Sequence, residues 1–164
     1  MLFIAFDNIL LNQEISDTQG ELIMRLGDVV ESRSHEAGNH VRRMSEISYM
    51  IALQSGMDPE EAMILRQAAP MHDIGKIGTP DHVLLKPGKF TAAEFDVISQ
   101  HAEIGYKILS GSDSELLKVA AIIAWTHHER YDGKGYPRGL EGDEIPIEAR
   151  IMTLADIYDA LLSE

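Results

Sequence analysis

With 164 residues, 45% of them hydrophobic and 25% charged, the chain has the size and composition of one soluble globular domain with a real core, which excludes a disordered or fibrous polypeptide. Its 27 acidic against 14 basic side chains give a net charge of −13, which excludes sequence-independent binding to duplex nucleic acid. The absence of cysteine excludes disulfides and thiolate metal sites and points to a reducing, cytoplasmic setting.

Residues 1–11 are apolar but interrupted by Asp7 and Asn8. They are too short to span a bilayer and lack the basic start of a signal peptide, so they read as the tail of something upstream. From Ile15 onward, Leu22, Leu26 and Val29 recur at helical spacing, with Thr18 and Glu21 as a capping box. This predicts a first amphipathic helix, or the end of a helical connector from a sensor or receiver domain. Glu36 and His40 stand at i and i+4, one above the other on a helix face, as a surface pair or as ligands. Val41, Met44, Ile47, Ile51 and Ala52 predict a core-facing stripe that Gly56 stops. Asp58, Pro59 and Glu61 then open the next helix as N-cap, first-turn proline and returning carboxylate, and Met63, Ile64, Leu65 and Ala68 carry it towards His72.

At the end of that run His72 and Asp73 stand side by side. An imidazole and a carboxylate held on one helix turn can lean on one divalent cation, and Lys76, three residues on, shares their face. Gly75 and Gly78 break the helix and let backbone approach what the pair holds. For a lone dipeptide the alternative is a capping Asp beside a surface His.

Residues 76–90, with Pro80, Pro87, Gly88 and several lysines, read as a loop, and His82 within it as a surface residue. Thr91 and Glu94 form a capping box for a helix carrying Phe95, Ile98, Ile104 and Leu109, with His101 midway. Ser112 and Glu115 cap a helix through Leu116, Val119, Ala120, Ile123 and Trp125 that ends in His127-His128-Glu129. Adjacent histidines point about 100° apart on a helix, so this pair can serve two cations, or a cation and a substrate. The stretch 130–138 has the glycines and proline of an ordered turn, with Tyr136 suited to a site edge. Pro146 and Glu148 begin the last helix, whose inner stripe reads as Ile151, Leu154, Ile157, Tyr158 and Leu161. Asp156 interrupts that stripe, where a carboxylate is costly unless paired or metal-bound. No stretch alternates as a strand does, so the chain reads as all-α, a helical bundle.

Glu36, His40, His72, Asp73, His101, His127, His128 and Asp156 are spread over five helical segments that a bundle can bring to one point. This nitrogen and oxygen set suits iron, manganese, cobalt, nickel or zinc, and it is too large for one ion. Two metals is the minimum, with Glu36 able to support a third.

The strings His-Asp-Ile-Gly-Lys-Ile-Gly (72–78), Lys-Pro-Gly-Lys (86–89), His-His-Glu-Arg-Tyr-Asp-Gly-Lys-Gly-Tyr-Pro (127–137) and Ala-Asp-Ile-Tyr-Asp-Ala-Leu (155–161) closely resemble the HD-GYP family of the HD phosphohydrolase superfamily. The resemblance runs from about residue 28 to the end, dividing the chain into an N-terminal connector, 1–27, and an HD-GYP domain, 28–164. It implies an all-helical HD domain with an ordered Gly-Tyr-Pro loop that hydrolyses cyclic di-GMP, in many members as the output of a bacterial two-component response regulator. By the same resemblance His40, His72, Asp73, His101, His127, His128 and Asp156 fall on metal ligands, with Asp73 the bridging carboxylate. Glu36 falls on the extra acid of trinuclear members, and Lys76 on a substrate-phosphate contact. Gly135, Tyr136 and Pro137 form the signature loop, linked to substrate access or to contacts with diguanylate cyclases.

Two or three divalent ions, iron or manganese foremost, are therefore expected. Two cations roughly 3.5 to 4 Å apart would aim a bridging hydroxide at one phosphodiester phosphorus and, with Lys76, neutralise the developing charge, giving pGpG or GMP. Ala102 stands where the family has proline, and Thr79 and Phe90 where it has aliphatics. The chain stops at Glu164, where the family continues into an Arg-Pro-Tyr-Lys segment and closing helices. The expectation is a C-terminally truncated domain that holds metals, binds substrate poorly and exposes an apolar face, leading to a homodimer or marginal stability. The alternative function is a catalytically impaired metal-containing sensor or scaffold that binds cyclic di-GMP or a diguanylate cyclase. A nucleotide phosphohydrolase of another HD class is disfavoured by the Gly-Tyr-Pro loop.

Overall fold

The computed structural model describes residues 2–34 and 39–162, the side chains from residue 6 onward. Its elements are α1 (Leu2–Glu31), α2 (His40–Gln54), α3 (Pro59–Ala68), α4 (Asp81–Leu84), α5 (Ala92–Ile98), α6 (His101–Leu109), α7 (Glu115–Thr126) and α8 (Ile147–Leu162), with short 3₁₀ segments at Ala69–Met71, Ile74–Gly78 and Gly142–Glu144. Among the described residues the only β pairing is an isolated bridge between Asp132 and Glu141. The fold is all-α, and among the described residues no helix is long and apolar enough to cross a membrane.

The core lies between α2, α3, α7 and α8, where Met44, Leu65, Ile123 and Met152 are fully enclosed. Burying a side chain of that size is worth about 1.5–3 kcal/mol. The stripe of α2 packs as its spacing implies, and Gly56, at φ +87°, supplies the left-handed residue that ends it. Asp58 caps α3 by accepting from the Glu60 N–H at 2.8 Å, and Thr91 and Glu94 form the expected capping box on α5.

Several expectations are corrected. Helix α1 already runs through Thr18, whose hydroxyl donates to the Glu14 carbonyl instead of capping anything. Leu22, Leu26 and Val29 face solvent, and the inner face of α1 is Gly27, Val30 and Glu31. On α8 the inner face is Ala149, Met152, Ala155 and Asp159, with Ile151 beside it, whereas Leu154, Ile157, Tyr158 and Leu161 are exposed. Both helices carry apolar residues on two faces, so spacing alone selects the larger side chains while packing selects the smaller ones. The loop after Lys76 contains the short helix α4, and His82 is exposed on it. The single helix expected around His101 is two, α5 and α6, broken at Ser99 and Gln100. The N-cap of α7 is Ser114, while Ser112 Oγ accepts from the Ser114 N–H.

Candidate metal centre

His72 and Asp73 do not sit on an α-helix turn. Helix α3 ends at Ala68, and the pair lies between two 3₁₀ segments, with Asp73 as the N-cap residue of Ile74–Gly78. The glycine that follows has a different purpose from the one its position suggests. A Cβ on Gly75 would overlap the carbonyl oxygen of His101, so this glycine seats the start of α6 against the turn, rather than admitting a ligand.

That seating brings His101 Nε2 within 3.1 Å of Asp73 Oδ1, with His127 Nε2 3.5 Å from the same oxygen. His72 Nε2 lies 3.2 Å from Asp73 Oδ2, and Lys76 Nζ 2.7 Å from it. The second ring nitrogens are anchored outward, His72 Nδ1 to the Ala69 carbonyl at 3.0 Å, His101 Nδ1 to that of Ile98 at 2.6 Å and His127 Nδ1 to that of Ile123 at 3.0 Å. A carbonyl only accepts, so each Nδ1 carries a hydrogen, and in the neutral ring each Nε2 turns a lone pair inward. His72 Nε2, Asp73 Oδ1, His101 Nε2 and His127 Nε2 are buried without a hydrogen-bond partner among the described residues. Orphaned donor atoms of this kind, converging on one carboxylate, fit a divalent cation.

Two positions emerge. Asp73, His101, His127 and His128 offer atoms all within 4.8 Å of one another, and so do His40, His72 and Asp156. Both adjacent histidines, their rings 4.0 Å apart, fall in the first group. His40, the first residue of α2, places Nε2 3.9 Å from Asp156 Oδ1. Glu36 lies outside the described residues.

The buried groups shift one another's titration. Burial alone would raise Asp73, but the Lys76 ammonium and the surrounding imidazoles hold it well below the usual carboxylate range. Burial alone would lower His72, but Asp73 outweighs it and pushes the imidazole up to about 9. Burial, then the neighbouring His127, lowers His128 to about 2.

Tyr136 stacks on His128 at 4.7 Å between ring centroids and meets Phe95 edge-on at 5.4 Å, so it stands at the rim of the cluster. Its peptide bond to Pro137 is cis, and Gly135 packs against the Glu129 backbone. Three functional groups escaped sequence reasoning. Glu31, 4% exposed, places Oε2 3.6 Å from Lys76 Nζ and groups with His72 and Asp73 as a further set of donors. Glu129, 2% exposed, accepts the Arg138 and Leu140 N–H groups at 2.7 and 2.9 Å, holding the Tyr136 loop from beneath. Asp159, 1% exposed, lies behind His40. The argument applied to Asp156, a carboxylate among inner-face residues of a helix, applies equally to Glu31 and Asp159, whereas Glu129 lies in the loop after α7, beyond its reach.

The family model described as HD domain matches residues 25–164. The chain is 49% identical over 150 residues to a cyclic di-GMP phosphodiesterase response regulator, RpfG, of Xanthomonas campestris pv. campestris, covering 92% of this chain and 40% of that protein. It is 47% identical over 150 residues to a cyclic di-GMP phosphodiesterase of Thermotoga maritima, covering 92% and 41%. It is 44% identical over 158 residues to 3'3'-cGAMP-specific phosphodiesterase 2 of Vibrio cholerae, covering 96% and 30%. The chain therefore spans well under half the length of these relatives.

Proposed function

Because the chain belongs to the HD domain family, we propose that it is a metal-dependent phosphodiesterase that hydrolyses cyclic di-GMP to pGpG or GMP. The observation that carries this reading is that buried, unpartnered Nε2 atoms of His72, His101 and His127 surround the carboxylate of Asp73, whose Oδ1 is itself unpartnered. Asp73, His101, His127 and His128 would hold one divalent ion and His40, His72 and Asp156 a second, with Glu36 available to a third. Iron or manganese suits this sulfur-free set of imidazoles and carboxylates. Bound there, the ions would supply Lewis-acid stabilisation of phosphodiester charge and acidify water.

The chain's own groups do the rest. The outward Nδ1 anchors of His72, His101 and His127 fix their rings before substrate arrives, so no reorganisation is needed during reaction. Lys76 Nζ, beside Asp73 Oδ2, would donate to a non-bridging phosphate oxygen. Tyr136, held by the loop that Glu129 supports, closes one side of the site and excludes water there. Hydrolysis adds the elements of water across a phosphorus to 3′-oxygen bond and leaves a 5′-phosphate and a free 3′-hydroxyl. No side-chain nucleophile is required, and the chain has no cysteine to supply one.

Similarity to a 3'3'-cGAMP-specific phosphodiesterase supports a second substrate of the same chemical class. The test is elemental analysis of anaerobically purified protein, followed by chromatography of cyclic di-GMP and 3'3'-cGAMP after incubation with the same sample. Two or three iron or manganese ions per chain with pGpG or GMP appearing is the expected result. Metal without turnover of either dinucleotide would favour a sensor or scaffold, and absence of metal after reconstitution would overturn the reading.

A further inference from the structure

His40 is built into the centre differently from its neighbours. His72, His101 and His127 each give Nδ1 to a main-chain carbonyl of their own local turn. His40 Nδ1 instead lies 2.7 Å from Asp159 Oδ2, across 119 residues of sequence. Asp159 is enclosed, and both its oxygens meet Arg43, Nε on Oδ1 at 2.5 Å and Nη2 on Oδ2 at 2.8 Å. A forked guanidinium on a carboxylate fixes that carboxylate in plane as well as in place.

We propose that Asp159, clamped by Arg43, is the positioning residue of the second cation position: it holds His40 with Nδ1 protonated and Nε2 turned towards His72 and Asp156. An ionised carboxylate can only accept, so a hydrogen resides on Nδ1, and in the neutral ring the lone pair is left to Nε2. The position formed by His40, His72 and Asp156 thus depends on a carboxylate of α8 meeting an arginine of α2, whereas the position formed by Asp73, His101, His127 and His128 draws its described anchors from main-chain carbonyls. The two should respond differently to one substitution. Replacing Asp159 by Asn leaves one acceptor oxygen for Arg43 Nε, Arg43 Nη2 and His40 Nδ1; where the charged guanidinium takes that oxygen, the amide N–H₂ meets His40 Nδ1 and favours hydrogen on Nε2, the wrong tautomer for a ligand.

The inference rests on the metal-centre reading above, and its test has one readout that needs no metal. Long-range ¹H–¹⁵N correlation of the metal-free protein reports the His40 tautomer. Wild type should show Nδ1–H, and D159N a loss of that form in favour of Nε2–H. Titration with Mn²⁺ alone, read by bound manganese per chain, should show two classes of position in wild type. In D159N one class should weaken about 10- to 100-fold while the other is retained. R43K keeps the carboxylate but loosens its fork, and should weaken the same class by less; it carries the test if D159N fails to fold. An unchanged His40 tautomer with both manganese classes intact would overturn the proposal, as would equal weakening of both classes, the mark of a merely structural aspartate. If wild type binds no manganese the metal-centre reading falls, while the tautomer still decides whether Asp159 orients His40.

Discussion

Gly75 and His101 meet backbone to backbone, so closely that a Cβ on the glycine would overlap the histidine's carbonyl oxygen. The contact joins the turn carrying Asp73 to the helix carrying its nearest imidazole. We expect Gly75→Ala to destabilise the fold by about 1–3 kcal/mol, the range for forced overpacking. In a protein of this size that lowers Tm by roughly 2–4 °C per kcal/mol. Thermal unfolding checks the first effect, and manganese binding should show a matching loss at the position containing Asp73 and His101.

Asp73 touches His72, His101, His127 and Lys76 at once. Asp73→Ala should abolish hydrolysis and lower metal content, whereas His82→Ala, on the exposed face of α4, should change neither. Equal loss in both variants, by turnover assay and elemental analysis, would show that the site has been misplaced.

Lys76 should separate binding of metal from chemistry. Lys76→Met keeps the side chain's length but removes its charge, and turnover of cyclic di-GMP should fall by about 10²-fold or more, the effect of deleting one charge-stabilising donor. Metal content should stay within that of wild type. Glu36→Ala should do the reverse, removing one ion while leaving a two-metal centre; unchanged stoichiometry would restrict Glu36 to a supporting role.

Glu129 accepts two main-chain N–H groups with an ionised, enclosed carboxylate. Glu129→Gln can satisfy at most one of them as an acceptor, and should destabilise by roughly 1.5–3 kcal/mol, the worth of a hydrogen bond to a charged group. Because the loop it supports carries Tyr136, KM for the dinucleotide should rise while metal content holds.

The pH dependence has a clear sign at Glu94. Lys86, then the Thr91 N–H and hydroxyl, lower this carboxyl from 4.5 to about 2. A depressed acid contributes stability that is present above its unfolded pKa and is lost as pH falls from about 4.5 towards 2. Glu94→Gln should flatten that part of the stability curve by lowering stability modestly at neutral pH and leaving it little changed near pH 2, followed by thermal melts between pH 7 and pH 2; solvent screening of the part-exposed pair keeps the loss small.

The helical class was legible in the absence of alternation and in caps such as Asp58 and Thr91-Glu94, because capping depends on neighbours in sequence. Which face of a helix turns inward was less so. In α8 the bulky Leu154, Ile157 and Leu161 outweigh Ala155 on any hydrophobicity scale, yet the close approach of α2 and α8 selects the small residues. Glu36, His40, His72, Asp73, His101, His127, His128 and Asp156 were legible as candidates from residue type and place on their helices, but their roles as ligands came from motif resemblance, since no local rule joins residues so far apart. Glu31 and Asp159 were passed over because, on an amphipathic helix, a carboxylate one turn from apolar residues reads the same whether it faces water or a buried histidine.

His40 and Asp159 are 119 residues apart in the chain and 2.7 Å apart in space, and the donors between them come from the turn after α3, from α6, from α7 and from α8. An ion at this point is topologically a cross-link: it closes several long loops at one node, and loop closure is an entropic term paid by the unfolded chain if the link persists there, as with a disulfide, or overcome by ligand binding if it does not. Catalysis and cohesion then share one knot in the chain, and stripping the metal should leave a protein that is slack as well as inactive.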